Sequence, residues 1–342
     1  MDIPGDLNIP EDFMVDSGTG ALRLLLRNLN LSKGAKVAIP AFVCDSVSRA
    51  VILEGLIPVF FDLIDATFWT DYEEKKIKDE NIKAVIVVHL YGFIHPASER
   101  ITRFCRDSQI KLIHDAAQSF GINESLLAAD NNGVFYSFGP GKSSTACCGG
   151  WVKGISRDFY LRNATKAPIL SFSGLRSRLF LKSRVLDSGF SSWDEILNRI
   201  IYKFSIKDTL VHSLGKFETR AARYAMLLVK KLSQERRERY SCITNKIKDN
   251  PIIAPAYDDG NGLYFKVVLL VRKDKMEDFK VYLKINAISY FCLHDSLRLA
   301  PELSGWLANF SENAPRFIEL SCEATIPFDE IMRVAQLLEN YR

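Results

Sequence analysis

Apolar runs alternate with amphipathic segments along the first 155 residues. Six runs, most of them continuously hydrophobic, have the length and pattern of strands buried on both faces. They span residues 36–41, 57–63, 82–92, 111–117, 133–139 and 149–155. Segments 19–31, 43–54 and 97–107 have helical periodicity, and Ser17 or Thr19 suits the N-cap of the first. This order predicts an α/β fold with a mostly parallel sheet covered by helices.

The second half of the chain breaks this regularity. Residues 156–212 are rich in Arg, Lys, Ser and Phe, which indicates either an exposed helix pair with a solvated charged face or a basic surface for a substrate phosphate or partner subunit. A long helix is predicted from 217 to about 248, with a charged stretch at 234–239. After Pro251 we expect a strand (263–272), a helix (275–285), a strand (287–292) and a final helix from Phe328, which together predict a small α/β domain.

Composition fits a globular protein of two domains, with 342 residues of which 47% are hydrophobic and 25% charged. A net charge of +4 does not by itself indicate nucleic-acid binding. The longest apolar run, 84–93, is too short to cross a bilayer, and the acidic N-terminus lacks a signal-peptide pattern. Seven scattered cysteines show no metal-ligand spacing, so we expect free thiols, no metal site and a cytoplasmic location.

An amine, a carboxylate and a glycine-rich helix start are the three parts that a pyridoxal phosphate site requires. Lys142 follows an apolar strand and a Gly-Pro-Gly turn, which favours a desolvated amine able to form a Schiff base. Asp115 ends a predicted strand, where open α/β sheets bind ligands, and its carboxylate can keep a pyridinium nitrogen charged. Gly18 and Thr19 begin a predicted helix, whose free N–H groups suit a phosphate.

Each of these residues also has a structural explanation. Ser17 to Thr19 resembles an ordinary helix cap, Asp115 a cap of the following helix, and Lys142 a structural lysine beside a turn. Gln118 can donate to the phenolic oxygen of the ring, and Ser137 lies within reach of the phosphate. Together these residues predict a covalent link between Lys142 and pyridoxal phosphate.

In order and spacing these residues resemble the DegT/DnrJ/EryC1/StrS family of pyridoxal-phosphate sugar aminotransferases. The matching motifs are SGTGA at 17–21, IPAF at 39–42, the segment 55–62, HLYG at 89–92, DAAQ at 115–118, SFGPGK at 137–142 and the glycine pair at 149–150. The resemblance implies a fold type I aminotransferase, with a large mixed, mostly parallel sheet and a smaller C-terminal α/β domain. It implies a cofactor-binding domain at 1–215, in which 156–215 is a divergent lid or substrate segment, and a linking helix and small domain at 216–342.

The same resemblance implies roles for the site residues. Gly18, Thr19 and Ser137 would bind the phosphate, Asp115 the ring nitrogen, Gln118 the phenolic oxygen and Lys142 the aldehyde carbon. It also implies an amino-acid donor, glutamate by analogy, a nucleotide-linked keto sugar as acceptor, and a homodimer with shared active sites. Such enzymes serve surface polysaccharide or glycoside synthesis.

Some relatives carry histidine in place of the lysine and run dehydration, so Lys142 favours transamination. A non-sugar ketone as acceptor, elimination, and a non-catalytic role remain alternatives.

Three positions depart from the family pattern. Cys44 stands where many relatives place an aromatic residue over the cofactor ring, so either Phe42 or the Cys44 thiol would contact the ring. The pair at 147–148 is Cys-Cys, where relatives have an acidic residue and glycine. A partner-chain asparagine motif is reduced to Gly215 and Arg220. His294 lies where relatives often have a histidine near the substrate, although a structural role explains it equally well.

Overall fold

A mostly parallel seven-stranded sheet forms the first half of the protein. The computed structural model describes residues 13–122, 133–144, 146, 148–166, 210–297, 303, 305–323 and 326–342. In chain order the strands are β1 (Met14–Val15), β2 (Lys36–Pro40), β3 (Ile57–Phe61), β4 (Ala84–Val88), β5 (Lys111–Asp115), β6 (Val134–Ser137) and β7 (Gly150–Lys153). Their order across the sheet is β1-β7-β6-β5-β4-β2-β3. Strands β2 to β6 run parallel, whereas β7 and β1 are antiparallel to their neighbours, so the predicted fold class is confirmed.

Helices cover this sheet, which is why its central strands are apolar throughout. They are α1 (Gly18–Asn28), α2 (Asp45–Leu53), α3 (Glu74–Asp79), α4 (Ser98–Asp107) and α5 (Arg157–Asn163). All five residues of β4 are buried, as expected for a parallel strand packed on both faces. Ser17 is the N-cap of α1, and its Oγ accepts from the backbone N–H of Gly20 at 3.0 Å. Helix α1 packs on β6 and β7 and so brings its first turn to the sheet edge where β6 ends.

The long helix α6 (Lys216–Lys246) leads into a second, antiparallel sheet of order β10-β9-β8. Its strands are β8 (Ile253–Pro255), β9 (Lys266–Val271) and β10 (Phe317–Ser321). The accompanying helices are α7 (Met276–Ile285), α8 (Leu293–Ser296), α9 (Ala308–Asn313) and α10 (Phe328–Asn340), with short 3₁₀ turns at Lys273–Lys275 and Ala314–Arg316. Helix α10 packs along α6. The long helix, the strand within 263–272, the helix at 275–285 and the last helix agree with the sequence predictions.

The predicted strand at 287–292 is wrong. Ala287, the first residue of the segment, has a φ of 53° and so is not extended. Within the segment only Phe291 pairs with β10, through Glu319. Ile288 and Cys292 are nevertheless buried. Their alternating burial therefore reflects packing on the small core and not membership of the sheet.

Several sequence predictions fall outside the described residues. The divergent segment 156–215 is described only at 156–166 and 210–215, and Cys147 is also outside. Helix α6 begins at Lys216, immediately after the predicted domain boundary, which itself stays a prediction. Among the described residues, no helix has the apolar length required to cross a membrane.

Candidate active site

The carboxyl ends of β5 and β6 bring the predicted site residues to one edge of the large sheet. Asp115 is the last residue of β5 and Ser137 the last of β6. Because Asp115 pairs in register with Phe135, Ser137 lies two residues further along the strand direction. The turn that carries Lys142 follows directly. This is the edge at which parallel α/β sheets bind ligands.

The Asp115 carboxyl group is buried, with 4% of the residue exposed. Burial raises its pKa to about 6, against the opposing effects of the Ala117 N–H and the positive charge of Lys142. The Ala117 N–H donates to Oδ1 at 2.9 Å. A cationic group placed against this carboxylate would relieve the cost of burying it, as the protonated nitrogen of a pyridine ring does.

Gly18 at the start of α1 lies against Ser137 at the end of β6. A Cβ at Gly18 would lie 2.7 Å from Ser137 Cβ and 2.8 Å from Ser137 Oγ, so no larger residue fits there without movement. The Gly139 N–H donates to the same Oγ at 3.4 Å. Thr19, in the first turn of α1, is half-buried. The N–H groups of the first turn of α1 and the hydroxyl groups of Thr19 and Ser137 surround a space that the missing Cβ of Gly18 leaves open. This arrangement forms a cradle suited to an anion.

Gln118 is held in a defined orientation. Its Oε1 accepts from the backbone N–H of Tyr91 at 2.8 Å. A backbone N–H can only donate, so the oxygen of the amide must face Tyr91 and the NH₂ is the end that can donate to a ligand.

Lys142 is half-buried in the turn that follows β6, and a buried arginine fixes the residue after it. Arg236 Nη2 donates to the Ser143 carbonyl at 2.9 Å and to Glu323 Oε2 at 2.9 Å. Arg236 is 3% exposed although it lies in the charged stretch 234–239. The turn that carries the lysine is thereby tied to helix α6 and to the segment after β10.

The structure separates the two candidates for contact with a cofactor ring. Phe42 is fully buried, with its ring centroid 5.6 Å from that of Phe317. Cys44 is exposed at the N-cap of α2. Of these two side chains, Cys44 is the one that offers surface to a ligand.

The remaining candidates lie at helix ends. His294 is in α8, with its ring 5.7 Å from Phe310 and its Nδ1 3.4 Å from Asp295 Oδ1. Gly215 is the N-cap of α6, and Arg220 is exposed one turn later.

Sequence reasoning missed three residues that support this edge: Tyr91, Arg236 and Glu319. Tyr91 lies within the HLYG motif, and its positive φ of 58° could not be inferred for an aromatic residue. Arg236 was hidden in a charged stretch. Glu319 contacts Tyr91 across 228 residues of sequence, a pairing that no local pattern reveals.

Comparison with known proteins gives a family and a shared fold. The model of the DegT/DnrJ/EryC1/StrS aminotransferase family matches residues 13–191. The 3-oxo-glucose-6-phosphate:glutamate aminotransferase of Bacillus subtilis is 29% identical over 177 residues, which are 52% of this chain and 38% of that protein. The UDP-N-acetyl-3-dehydro-alpha-D-glucosamine 3-aminotransferase of Acidithiobacillus ferrooxidans is 34% identical over 131 residues, 37% of this chain and 35% of that protein. The chain thus spans less than two-fifths of the length of both relatives.

Among solved structures, NtdA of Bacillus subtilis with bound cofactor PMP superimposes with a TM-score of 0.66 at 18% identity. The superposition covers 96% of this chain and 73% of that one. The likeness extends over both sheets, beyond the part that the family model matches. It confirms the predicted fold type I architecture.

Proposed function

We infer the function from one premise, which is that this chain belongs to the DegT/DnrJ/EryC1/StrS aminotransferase family. The proposal is that the protein is a pyridoxal-phosphate-dependent aminotransferase. It would move an amino group from an amino acid, with glutamate as the expected donor, to a keto group of a nucleotide-linked sugar. The observation that carries the proposal is the buried Asp115 carboxylate beside Lys142, at the sheet edge that also holds the Gly18 and Ser137 contact.

The residues at this edge fit pyridoxal phosphate. The phosphate matches the cradle of Gly18, Thr19 and Ser137, where the missing Cβ of Gly18 leaves room for close approach. The ring nitrogen, when protonated, matches the buried carboxylate of Asp115. The phenolic oxygen matches the NH₂ of Gln118, whose carbonyl is already bonded to Tyr91.

Each side chain then has a defined task. Bound pyridoxal phosphate supplies an electron sink for the negative charge that develops at the α-carbon of the donor. Asp115 keeps the proton on the ring nitrogen and so maintains the strength of that sink. The Lys142 amine would hold the aldehyde carbon of the cofactor, and the same amine would move the proton at the α-carbon of the donor. Lys142 is half-buried in the turn that follows β6.

The names of the two relatives support the proposed substrates. One is named for glutamate and a keto sugar phosphate, and the other for a UDP-linked keto sugar. We propose a nucleotide-linked sugar, in a route to surface polysaccharide or glycoside, and a homodimer with shared sites. We also propose a cytoplasmic location, which fits a nucleotide-linked sugar as substrate. It also fits the free thiols among the described residues, which are Cys44, Cys105, Cys148, Cys242, Cys292 and Cys322.

The test is the absorption spectrum of the protein loaded with pyridoxal phosphate, before and after addition of glutamate. We expect a visible band in the wild type that glutamate removes, and no such band in Lys142→Ala. Lys153→Ala is the matched control, because Lys153 lies at the end of β7 with its Nζ 4.5 Å from the Trp151 ring centroid. The proposal is wrong if the wild type has no band, or if Lys142→Ala keeps both the band and its response.

The acceptor is tested separately with three ketones. A UDP- or dTDP-linked keto sugar, a keto sugar phosphate and a 2-oxo acid are each mixed with the glutamate-treated protein, and return of the band is measured. Fastest return with the nucleotide-linked sugar supports the proposed acceptor. Fastest return with the sugar phosphate or the 2-oxo acid contradicts it and leaves the cofactor chemistry in place.

A further inference from the structure

A tight turn after β4 has an unusual backbone. The Phe93 N–H donates to the Leu90 carbonyl at 2.9 Å, and both residues between them have positive φ, 58° at Tyr91 and 85° at Gly92. Glycine adopts this region freely, whereas a bulky side chain does so only where other contacts hold it. The conformation of Tyr91 therefore requires an anchor.

The anchor comes from the small C-terminal sheet. The Tyr91 hydroxyl donates to Glu319 Oε1 at 2.8 Å, and Glu319 Oε2 is paired with Lys266 Nζ. Tyr91 is 1% exposed and Glu319 is 3% exposed, so water does not compete for these bonds. Burial, together with the neighbouring Glu319 carboxylate, raises the pKa of Tyr91 well above its usual value, so the hydroxyl stays protonated as a donor.

The backbone of the same residue faces the proposed cofactor site. The Tyr91 N–H donates to Gln118 Oε1 at 2.8 Å and so fixes which end of that amide points to a ligand. Gln118 is three residues beyond Asp115, at the carboxyl end of β5. One residue thus contacts the small sheet through its side chain and Gln118 through its main chain.

We propose that Tyr91 is a positioning residue that aims the Gln118 amide at the cofactor, and that Glu319 and Lys266 of the small sheet hold Tyr91 in place. The proposal rests on the proposed function, because it assumes that Gln118 donates to the phenolic oxygen of pyridoxal phosphate. It assigns a task to the small sheet in tuning the cofactor. Tyr91 itself is not placed in contact with the cofactor.

Four variants separate this role from simple packing. Tyr91→Phe keeps the ring, which packs edge-on against Phe68 with centroids 5.0 Å apart, and removes only the hydroxyl. Glu319→Leu removes the same hydrogen bond from its other end, whereas Glu319→Gln keeps an oxygen that can accept it. Tyr72→Phe is the matched control, because Tyr72 is fully buried in the same half of the protein and its hydroxyl donates to the Ile86 carbonyl at 2.6 Å.

Two quantities are measured besides activity, with Gln118→Ala as the reference. They are the dissociation constant of pyridoxal phosphate and the pH midpoint at which the visible band of the bound cofactor changes. A donor to the phenolic oxygen stabilises its negative charge most when the nitrogen joining Lys142 to the cofactor is unprotonated. Weakening the donor therefore raises the pKa of that nitrogen and shifts the midpoint to higher pH.

We expect Tyr91→Phe and Glu319→Leu to shift the midpoint upward in the direction of Gln118→Ala. We also expect both to weaken cofactor binding about two- to tenfold, the effect of losing one hydrogen bond. Tyr72→Phe should stay near the wild type. Glu319→Gln should lie between the wild type and Glu319→Leu, because its single amide oxygen cannot accept from both Tyr91 and Lys266. The Glu319 variants keep the test decisive if Tyr91→Phe does not fold.

The inference is overturned if the wild type shows the band but Tyr91→Phe and Glu319→Leu match Tyr72→Phe in both quantities, or if Gln118→Ala does not move the midpoint. A wild type without the band overturns the proposed function instead, and this inference with it.

Discussion

Strand β5 carries two buried polar residues side by side, and they belong to very different surroundings. Successive residues of a strand point to opposite faces of the sheet, so His114 and Asp115 face different layers. His114 is 0% exposed and Asp115 is 4% exposed. Burial alone therefore does not distinguish a site residue from a structural one. Their hydrogen bonds do.

On one face lies a histidine cluster made of His89, His95 and His114. His89 and His114 are joined through Nε2 and Nδ1 at 3.0 Å, and the His95 N–H donates to His89 Nδ1 at 3.0 Å. The Ala97 N–H donates to His95 Nδ1 at 3.1 Å. Burial lowers the pKa of His95 and of His114 to about 4, and that of His89 well below its usual value. The three rings are neutral and are bonded to one another and to the backbone, except that His114 Nε2 has no hydrogen-bond partner among the described residues.

On the other face, burial makes the charged Asp115 carboxylate costly, with the Ala117 N–H as its backbone donor and the positive charge of Lys142 nearby. A buried charge with so few compensating contacts stays in a fold when a ligand provides the rest. The same degree of burial thus accompanies a structural role on one face and, as we propose, ligand binding on the other.

The largest effect should come from Asp115→Asn. Asparagine keeps an oxygen for the Ala117 N–H but cannot hold the ring nitrogen in its charged form. We expect the rate of the glutamate half-reaction to fall about 10²- to 10³-fold, the loss typical when one preorganised electrostatic partner is removed. Stopped-flow spectroscopy measures it. A rate within threefold of the wild type would show that Asp115 does not bind the ring nitrogen.

The same variant should stabilise the protein without cofactor. The folded pKa of Asp115, about 6, lies above the usual 3.8, so the folded state binds more protons than the unfolded state between these values. Stability therefore falls as pH rises through that window, and Asp115→Asn removes the fall. Urea unfolding of the apoprotein at pH 7 should show a gain of about 1–3 kcal/mol. A loss of stability would mean that the carboxylate is well compensated in the apoprotein.

Gly18→Ala should have the next largest effect, confined to the phosphate end of the site. The new Cβ would meet Ser137 at 2.7 Å, so α1 or β6 must shift, at a cost of about 1–3 kcal/mol in the free energy of unfolding. Cofactor affinity should fall with it. Gly139→Ala is the control, because its Cβ would lie 3.6 Å from Ser137 Oγ, an ordinary contact.

Adding Ser137→Gly to Gly18→Ala separates the steric clash between the new Cβ and Ser137 from the loss of the Ser137 hydroxyl. The double variant restores room for the Cβ and so should recover stability, but it lacks the Ser137 hydroxyl and should still bind pyridoxal phosphate weakly. Full recovery of affinity would show that Ser137 does not bind the phosphate. Thermal unfolding and cofactor titration measure the two quantities.

The sequence predicted the large sheet, and it predicted that Asp115, Ser137 and Lys142 lie at or just after the ends of strands. Both predictions were possible because a buried parallel strand can be recognised from a few adjacent residues. A continuous apolar run such as β4 and a polar residue at its end are properties of a few adjacent residues. The cap at Ser17 is local in the same way, and the structure confirms it.

Features that depend on distant contacts could not be predicted. The histidine cluster joins His89, the residue after β4, to His114 of β5, and in the sequence His89 merely interrupts an apolar run. The segment 287–292 alternates like a strand because it packs on the small core, and only the positive φ of Ala287 and the single pairing of Phe291 show otherwise. The bond between Tyr91 and Glu319 depends on how the two sheets meet.

The smallest effect on activity should come from His114→Gln, one residue from Asp115. Glutamine has an oxygen that can accept from His89 Nε2, so the cluster keeps its main link. Because His114 faces away from the proposed site, we expect the cofactor affinity and the half-reaction rate to stay within about threefold of the wild type, whereas Asp115→Asn loses far more. A loss as large as that of Asp115→Asn would break the distinction between the two faces.

The stability of His114→Gln should instead differ in its dependence on pH. A histidine with a folded pKa of about 4 and an ordinary pKa of 6.5 binds fewer protons in the folded state between these values, so the wild type loses stability as pH falls from 6.5 to 4. Replacing His114 removes one such group, which should make the loss smaller by about 3 kcal/mol at most. Urea unfolding of the apoprotein across this range measures it, with His294→Gln, on α8 outside the cluster, as the control. An unchanged slope would mean that His114 is protonated in the folded protein, and the cluster would then be a charged network and not the neutral one that its hydrogen bonds indicate.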